Sequence, residues 1–371
     1  MRTLSAALQR ALYEADKRWG RGYRRARDVL GISRPPRIVP YRGWGCGERA
    51  TVLARVLEDR GAQEWREGAS LRHTFAASYK RYATVEIPEL EVEVRWAGAV
   101  FRDRTDEEGH IELVVSPPDE AESGWNEIEL YAGREAAARA EVLMTPRSAE
   151  LVVVSDIDDT VIVTNVRHPI ERAATFFLTD ARVRLPFEGV AAFYRALHRG
   201  RNPVFYVSSS PWNLYEHLAA LFERHDVPKG PMLLRDWGIS REGLAPLGGH
   251  AHKQKKVNQL VADHPTLPFV LIGDSGQEDA RHYVAIAEHH PGRVRAIYIR
   301  DVGRGRSDLD ALASEARKHG TELVVIGDSV SAARHAASIG LIRDDDIAAV
   351  AADRRADESM PSPLEQALGD E

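Results

Sequence analysis

Leu151-Val152-Val153-Val154-Ser155-Asp156-Ile157-Asp158-Asp159-Thr160 is the stretch on which the fold turns. Four apolar residues in a row, without alternation, read as a strand buried on both faces, as in a parallel sheet. The run then breaks into three carboxylates within four residues, which repel one another unless a cation or a proton is present. Apolar runs recur at 203–207, 269–272, 294–299 and 322–326, with a shorter one near 231–234. Helical patterns at 189–199, 213–224 and 309–318 alternate with them. Strand and helix in alternation predict a parallel α/β sheet with helices on both faces. In such sheets ligands bind at the carboxyl ends of the strands.

Three of those strand ends, and one basic run between them, carry chemistry. Acids delivered by the first strand favour a hard-metal site, Mg²⁺ preferring carboxylate oxygens together with phosphate. Aspartate also attacks phosphorus to form an acyl phosphate. Acids that merely solvate a turn are the alternative. The second strand ends in Val207-Ser208-Ser209-Ser210-Pro211-Trp212. A small hydroxyl there hydrogen-bonds a phosphate oxygen, while Ser210-Pro211 has the chemistry of a helix N-cap and first turn, whose N–H groups face an anion or simply start a helix. The third element is the basic run His252-Lys253-Gln254-Lys255-Lys256, of which one ammonium offsets the aspartates and the rest are solvated. His250 and His252 read as loop residues, and the histidines form no metal set. The fourth is Phe269-Val270-Leu271-Ile272-Gly273-Asp274, with a further acid at Asp279. Glu322-Leu323-Val324-Val325-Ile326-Gly327-Asp328-Ser329 repeats the strand-Gly-Asp-Ser pattern, but Ala333 stands five residues on. Asp328 there reads as a helix cap, and Trp212 as a packing residue.

In chain order these elements spell DxDxT, Ser, Lys and GDxxxxD, and so the chain resembles the haloacid-dehalogenase-like phosphohydrolases. More narrowly, SDIDDT, FYVSSSPWNLY, HK and LPFVLIGDSGQED look like the catalytic domain of the actin-patch-protein type of phosphatidate phosphatase, over about 148–345. The resemblance implies a Rossmann-like sheet of the haloacid-dehalogenase type, Mg²⁺ as cofactor and an aspartyl-phosphate intermediate. It implies Asp156 as nucleophile and Asp158 as the acid that protonates the leaving alkoxide and then activates water. Thr160 and Ser208, with Ser209 beside them, would bind the phosphoryl group, and Lys253 would neutralise it. Asp156, the carbonyl of Asp158 and Asp274 would hold the metal, with Asp279 orienting Lys253 or a metal-bound water. Asp159 receives no part. The 47 residues between Thr160 and Ser208, and the 44 between Ser208 and Lys253, leave room only for a minimal cap. An open cleft suits a bulky phosphomonoester, with phosphatidate, hydrolysed to diacylglycerol, the family's substrate. A soluble or protein phosphomonoester, and a non-catalytic membrane- or protein-binding module, are the competing readings.

Outward from this core, the region 37–147 reads as β. Leu90-Glu91-Val92-Glu93-Val94-Arg95-Trp96 alternates cleanly, and shorter patterns at 50–57, 111–115, 127–131 and 138–144 are separated by turn residues. Short strands at this spacing predict a small antiparallel β-sandwich without a catalytic constellation, preceded by the glycine cluster of 42–47. This β region also looks like the N-terminal domain of the bacterial members of that family. Residues 1–31 hold a charge of +5 against −11 over the rest, with Leu4, Leu8, Leu12, Ala15 and Trp19 at helical spacing. The segment 1–36 thus reads as a basic amphipathic helix, expected either to lie on an anionic membrane surface or to pack its leucines on the protein. From 353 to 371 the sequence is polar and aperiodic, a tail, so that the catalytic domain spans 148–352.

Composition bounds the rest. At 371 residues the chain is long enough for two domains. A net charge of −6 does not suggest a nucleic-acid binder, and Cys46 as the one cysteine excludes an internal disulfide or a multi-thiolate zinc site. No apolar run approaches a bilayer span, and the N-terminus lacks the apolar core of a signal peptide. The expected location is cytoplasmic, with peripheral attachment to membrane if the basic helix docks there.

Overall fold

The computed structural model describes residues 34–59, 85–133, 136–162, 187–235, 239–240, 243–244, 250–276, 278–303 and 308–359. The N-terminal basic segment through residue 33, and the stretch 163–186 on which part of the minimal-cap reading rests, lie outside the described residues. The chain divides into two compact units, Met1–Met144 with Arg235–Gly249, and Thr145–Leu234 with His250–Glu371. The grouping of 235–249 with the first unit has no signal in the sequence. Among the described residues, no helix is long and apolar enough to cross a membrane.

Seven of the strands described in the first unit are β1 (Pro36–Cys46), β2 (Arg49–Glu58), β3 (Glu91–Trp96), β4 (Ala99–Arg104), β5 (His110–Val115), β6 (Gly124–Ala132) and β7 (Ala136–Met144). They form one sheet in the order β4-β3-β6-β7-β1-β2-β5. Every recorded pairing is antiparallel except β1 with β7. Edge strands β4 and β5 are joined by residues 105–109 alone. A flat seven-stranded sheet is roughly 29 Å wide, and that link reaches roughly 22 Å at most. The sheet therefore curls on itself around a core that includes Val52, Val94, Trp96, Ile128, Leu130 and Val142. One continuous sheet thus stands where sequence periodicity predicts a two-layered sandwich. The glycine cluster, read as preceding the strands, belongs to β1. The register shifts between Tyr41 and Trp44, and a Cβ at Gly43 would come 2.3 Å from the Thr51 carbonyl oxygen, so only glycine lets β2 approach.

The second unit holds β8 (Val152–Ser155), β9 (Val204–Pro211), β10 (Met232–Arg235), β13 (Phe269–Asp274), β14 (Val294–Arg300) and β15 (Glu322–Ile326), in the sheet order β10-β9-β8-β13-β14-β15. A two-stranded hairpin, β11 (Ile239–Ser240) and β12 (Gly243–Leu244), lies between β10 and β13 in the chain, within the stretch that groups with the first unit. The pairings from β9 to β15 are parallel. Every residue of β8 and of β13 is buried, so both faces of the sheet centre are covered. From β8 the chain builds outward first through β9 and β10, then through β13, β14 and β15 on the other side. The reversal falls between β8 and β13, the position at which such sheets form a crevice.

Seven helices are described in this unit: α1 (Val190–His198), α2 (Tyr215–Arg224), α3 (His250–Asp263), α4 (Asp279–His289), α5 (Leu309–Lys318), α6 (Ser329–Ser338) and α7 (Asp344–Glu358). The basic run around Lys253 is the first turn of α3 rather than a loop. Helix α7 continues through Glu358, six residues into the segment read as a polar tail. Its Asp353 and Asp357 accept hydrogen bonds from the main-chain N–H groups of Ala192 (3.0 Å) and Gly189 (2.8 Å). Gly189 is the N-cap of α1 and brings no side-chain cap of its own, so α7 provides the missing acceptors.

Candidate active site

All the residues singled out from Leu151 onward lie in the second unit. Asp156 leaves the end of β8 and Asp274 ends β13, neighbours across the crevice. Asp156, Asp274 and Asp279 are buried, and each offers a carboxylate oxygen within 4.8 Å of the other two. Gly273 makes the third approach possible: a Cβ there would lie 2.7 Å from Asp279 Cβ. The main-chain N–H of Asp274 donates to Asp279 Oδ2 at 3.4 Å, and that of Gly276 to Asp274 Oδ1 at 2.6 Å.

Helix α3 aims Lys253 into this cluster. Its Nζ sits 2.8 Å from Asp156 Oδ1 and 2.9 Å from Asp279 Oδ1, and the side chain is almost wholly buried. Burial alone would weaken the ammonium's hold on its proton, but Asp156, Asp279 and Asp274 outweigh it and keep Lys253 charged. The acids are pushed the other way. Burial raises Asp156 well above the ordinary carboxylate range despite Lys253, with Asp279, Asp274 and Asp158 adding to the effect. Burial, then Asp279, raises Asp274 to about 7. Once all three are ionised, the carboxylates against one ammonium leave two negative charges, the charge of one divalent cation. The donor set is all oxygen, and it fits a hard ion such as Mg²⁺.

A second cluster surrounds Asp158, itself buried. Ser208 and Ser210 each donate a hydroxyl hydrogen bond to Asp158 Oδ2, both at 2.8 Å, and the main-chain N–H of Ser210 donates to Ser208 Oγ at 2.9 Å. Strand β9 runs on through Pro211, and the single 3-10 turn at Trp212–Leu214 starts without a side-chain cap. The N-cap reading of Ser210 is thereby corrected: strand geometry carries its hydroxyl to the same face as Ser208, while Ser209 alternates to the other face. Thr160 Oγ1 donates to Asp156 Oδ2 at 3.4 Å. Asp159, left without a part, takes the left-handed backbone conformation (φ 59°) that turns the chain after β8, a conformation aspartate tolerates better than most residues. Trp212 is half-buried and its ring lies 6.2 Å from that of Tyr215.

Sequence reasoning missed the support beneath Asp156. Ser155 Oγ donates to the Asp156 carbonyl oxygen at 2.6 Å, and Tyr194 of α1 lies 2.7 Å from Ser155 Oγ. Asp156 N–H donates to the Ile272 carbonyl at 2.9 Å, an oxygen that Tyr283 also reaches. No spacing in the sequence announces these contacts. The Ser-x-Ser pattern at a strand end was the available signal for Ser210. Asp328 lies apart from the cluster: it caps α6, accepting from Ser331 N–H at 2.7 Å, and pairs with Arg354 at 2.5 Å.

Residues 151–301 match the family model described as phosphatidate phosphatase APP1, catalytic domain. Over 165 residues the chain is 30% identical to the phosphatidate phosphatase APP1 of Saccharomyces cerevisiae, covering 42% of this chain and 27% of that protein. An uncharacterized protein of Schizosaccharomyces pombe is 31% identical over 169 residues, 45% of this chain and 27% of its own. The chain thus spans about a quarter of the length of these relatives. Among solved structures, a carbohydrate acetylesterase from Xanthomonas citri is matched at a TM-score of 0.28 and 12% identity, over 76% of this chain and 66% of that one, a likeness too low to bear on fold or activity. Residues 151–301, with the whole carboxylate and lysine cluster among them, are thus similar to the catalytic domain of the phosphatidate phosphatase APP1 family.

Proposed function

We propose that this chain is a Mg²⁺-dependent phosphomonoesterase that works through an aspartyl phosphate on Asp156, with phosphatidate as substrate and diacylglycerol as product. The observation that carries this reading is Lys253, buried between Asp156 and Asp279 beside Asp274. Burying three carboxyl groups and an ammonium together is costly unless their charges are used, and phosphoryl transfer uses them all. A non-catalytic module has no need of such a cluster.

In this reading Asp156 attacks phosphorus while Lys253 neutralises charge on the phosphoryl oxygens. Asp156 and Asp274, with the carbonyl of Asp158, would hold the cation, which when bound supplies further positive charge at the same oxygens. Asp279 keeps Lys253 in place. Asp158 gives its proton to the leaving alkoxide and then takes one from the water that hydrolyses the aspartyl phosphate. Thr160 fixes the Asp156 carboxylate. The lipid substrate comes from the family, whose named member in Saccharomyces cerevisiae is a phosphatidate phosphatase. Peripheral contact with an anionic membrane through the basic segment 1–36 belongs to the same proposal.

The test is phosphate release from phosphatidate in mixed micelles against release from soluble phosphomonoesters, each with EDTA and with Mg²⁺ restored. Turnover that favours phosphatidate and depends on Mg²⁺ is expected. Full activity after exhaustive chelation, or none on any phosphomonoester, contradicts the proposal.

A further inference from the structure

Two hydroxyls converge on one oxygen of Asp158. A carboxylate oxygen has two lone pairs in its plane, and Ser208 and Ser210, both 2.8 Å from Oδ2, take both of them. A proton carried by Asp158 therefore sits on Oδ1. The hydroxyls also fix the carboxyl plane and so the direction in which that proton is offered.

Their positions differ in what each can afterwards do. Ser208 Oγ accepts from the Ser210 main-chain N–H and spends its single proton on Asp158. It cannot bond a phosphoryl oxygen without turning that proton away from Asp158. Ser210 has no such second duty, being one pleat further along β9 and half-buried. We propose that Ser210 is a positioning residue for Asp158, holding the carboxyl in place while Ser208 hands its hydroxyl to a phosphoryl oxygen. This rests on the reading of Asp158 as general acid. In the step concerned, the ester P–O bond breaks as the Asp156–phosphorus bond forms. The proton on Asp158 Oδ1 passes to the ester oxygen, the alcohol departs neutral, and Asp158 is left a carboxylate ready to accept a proton from water.

General-acid assistance matters in proportion to the basicity of the leaving group. A p-nitrophenolate departs without a proton, whereas an alkoxide does not, so the ratio of the two rates isolates the acid from every other part of the site. The measure is kcat/KM, which covers the steps through departure of the alcohol, on p-nitrophenyl phosphate and on an alkyl phosphomonoester, using the full chain. Asp158→Asn should lose about 10²–10⁴-fold on the alkyl ester and far less on the aryl ester. Ser210→Ala removes one hydrogen bond yet keeps the main-chain N–H that places Ser208. It should lose about tenfold on the alkyl ester and no more than about twofold on the aryl ester. Ser210→Thr, which restores the hydroxyl, should return the alkyl rate to within about threefold. Melting curves identify any variant that has lost its fold. Equal losses on both esters for Ser210→Ala, with Asp158→Asn still selective, overturn the proposal and leave the acid in place. Equal losses for Asp158→Asn itself remove the acid, and the proposal falls with it.

Discussion

Gly273-Asp274-Ser275 and Gly327-Asp328-Ser329 are the same three residues at the ends of two strands of one sheet, yet their aspartates do opposite things. Asp274 is fully buried, crowded by Asp156 and Asp279, and raised by burial to about 7. Asp328 is on the surface, where Ser331 and Arg354 overcome the effect of partial burial and hold its carboxyl below the usual range. The local sequence is therefore not what makes an acid functional. Strand position decides: β13 adjoins β8 at the reversal of strand order, while β15 is the sheet edge. The residue five places on decides as well, since Asp279 ties back to Asp274 and Lys253, whereas Ala333 packs in the core.

The contrast is broken most directly by replacing each aspartate in turn. Asp274→Asn should lower kcat/KM about 10³-fold, because in the proposed mechanism a dication ligand goes with the charge. Asp328→Asn should stay within about threefold of the parent, as its interactions lie outside the chemistry. A comparable loss in both variants would mean that the edge strand belongs to the site after all.

A smaller effect sharpens the same comparison. Adding Mg²⁺ to chelated protein at about a hundred times its Kd should stabilise the second unit by about 2.7 kcal/mol, or roughly 5–10 °C in Tm. The shift should vanish in Asp274→Asn and survive in Asp328→Asn. A thermal-shift titration reads both, and persistence of the shift in Asp274→Asn would place the cation elsewhere.

The smallest effect concerns stability without metal. Asp328→Ala removes an N-cap and should cost about 0.5–2 kcal/mol. Asp328 is a stronger acid in the fold than in the unfolded chain, so its contribution is complete above about pH 4 and fades as pH falls through the folded value. The deficit of Asp328→Ala should accordingly shrink in acid. Asp274→Asn in chelated protein should instead raise Tm, since it relieves the crowding of three buried carboxylates. Calorimetry of both variants at neutral pH and below pH 4 checks the two signs.

What could be read in the sequence follows from the same physics. Asp156, Asp274 and Asp279 were legible because each stands at or just beyond the end of an apolar run too long and too unbroken to be anything but a covered strand. Lys253 was legible as a residue of the site only through its place in the series of motifs; that it lies in a first helical turn was not, since the run around it is polar. Strand β1 was hidden by Pro36, Pro40 and the glycines that admit its neighbour, and β4 by its exposure at a sheet edge. The end of α7 was hidden because its docking rests on Asp353 and Asp357 meeting backbone N–H groups, a contact without hydrophobic signature. Ser210 was misread because Ser-Pro starts helices more often than it continues strands.

The central claim is that Asp156 carries the phosphoryl group, and it is tested by quenching turnover in acid and mapping the phosphorylated residue by mass spectrometry. A phosphoryl group on Asp156, absent from Asp156→Asn together with turnover, is the predicted result. Phosphate on another residue, or sustained turnover in purified Asp156→Asn, would contradict it.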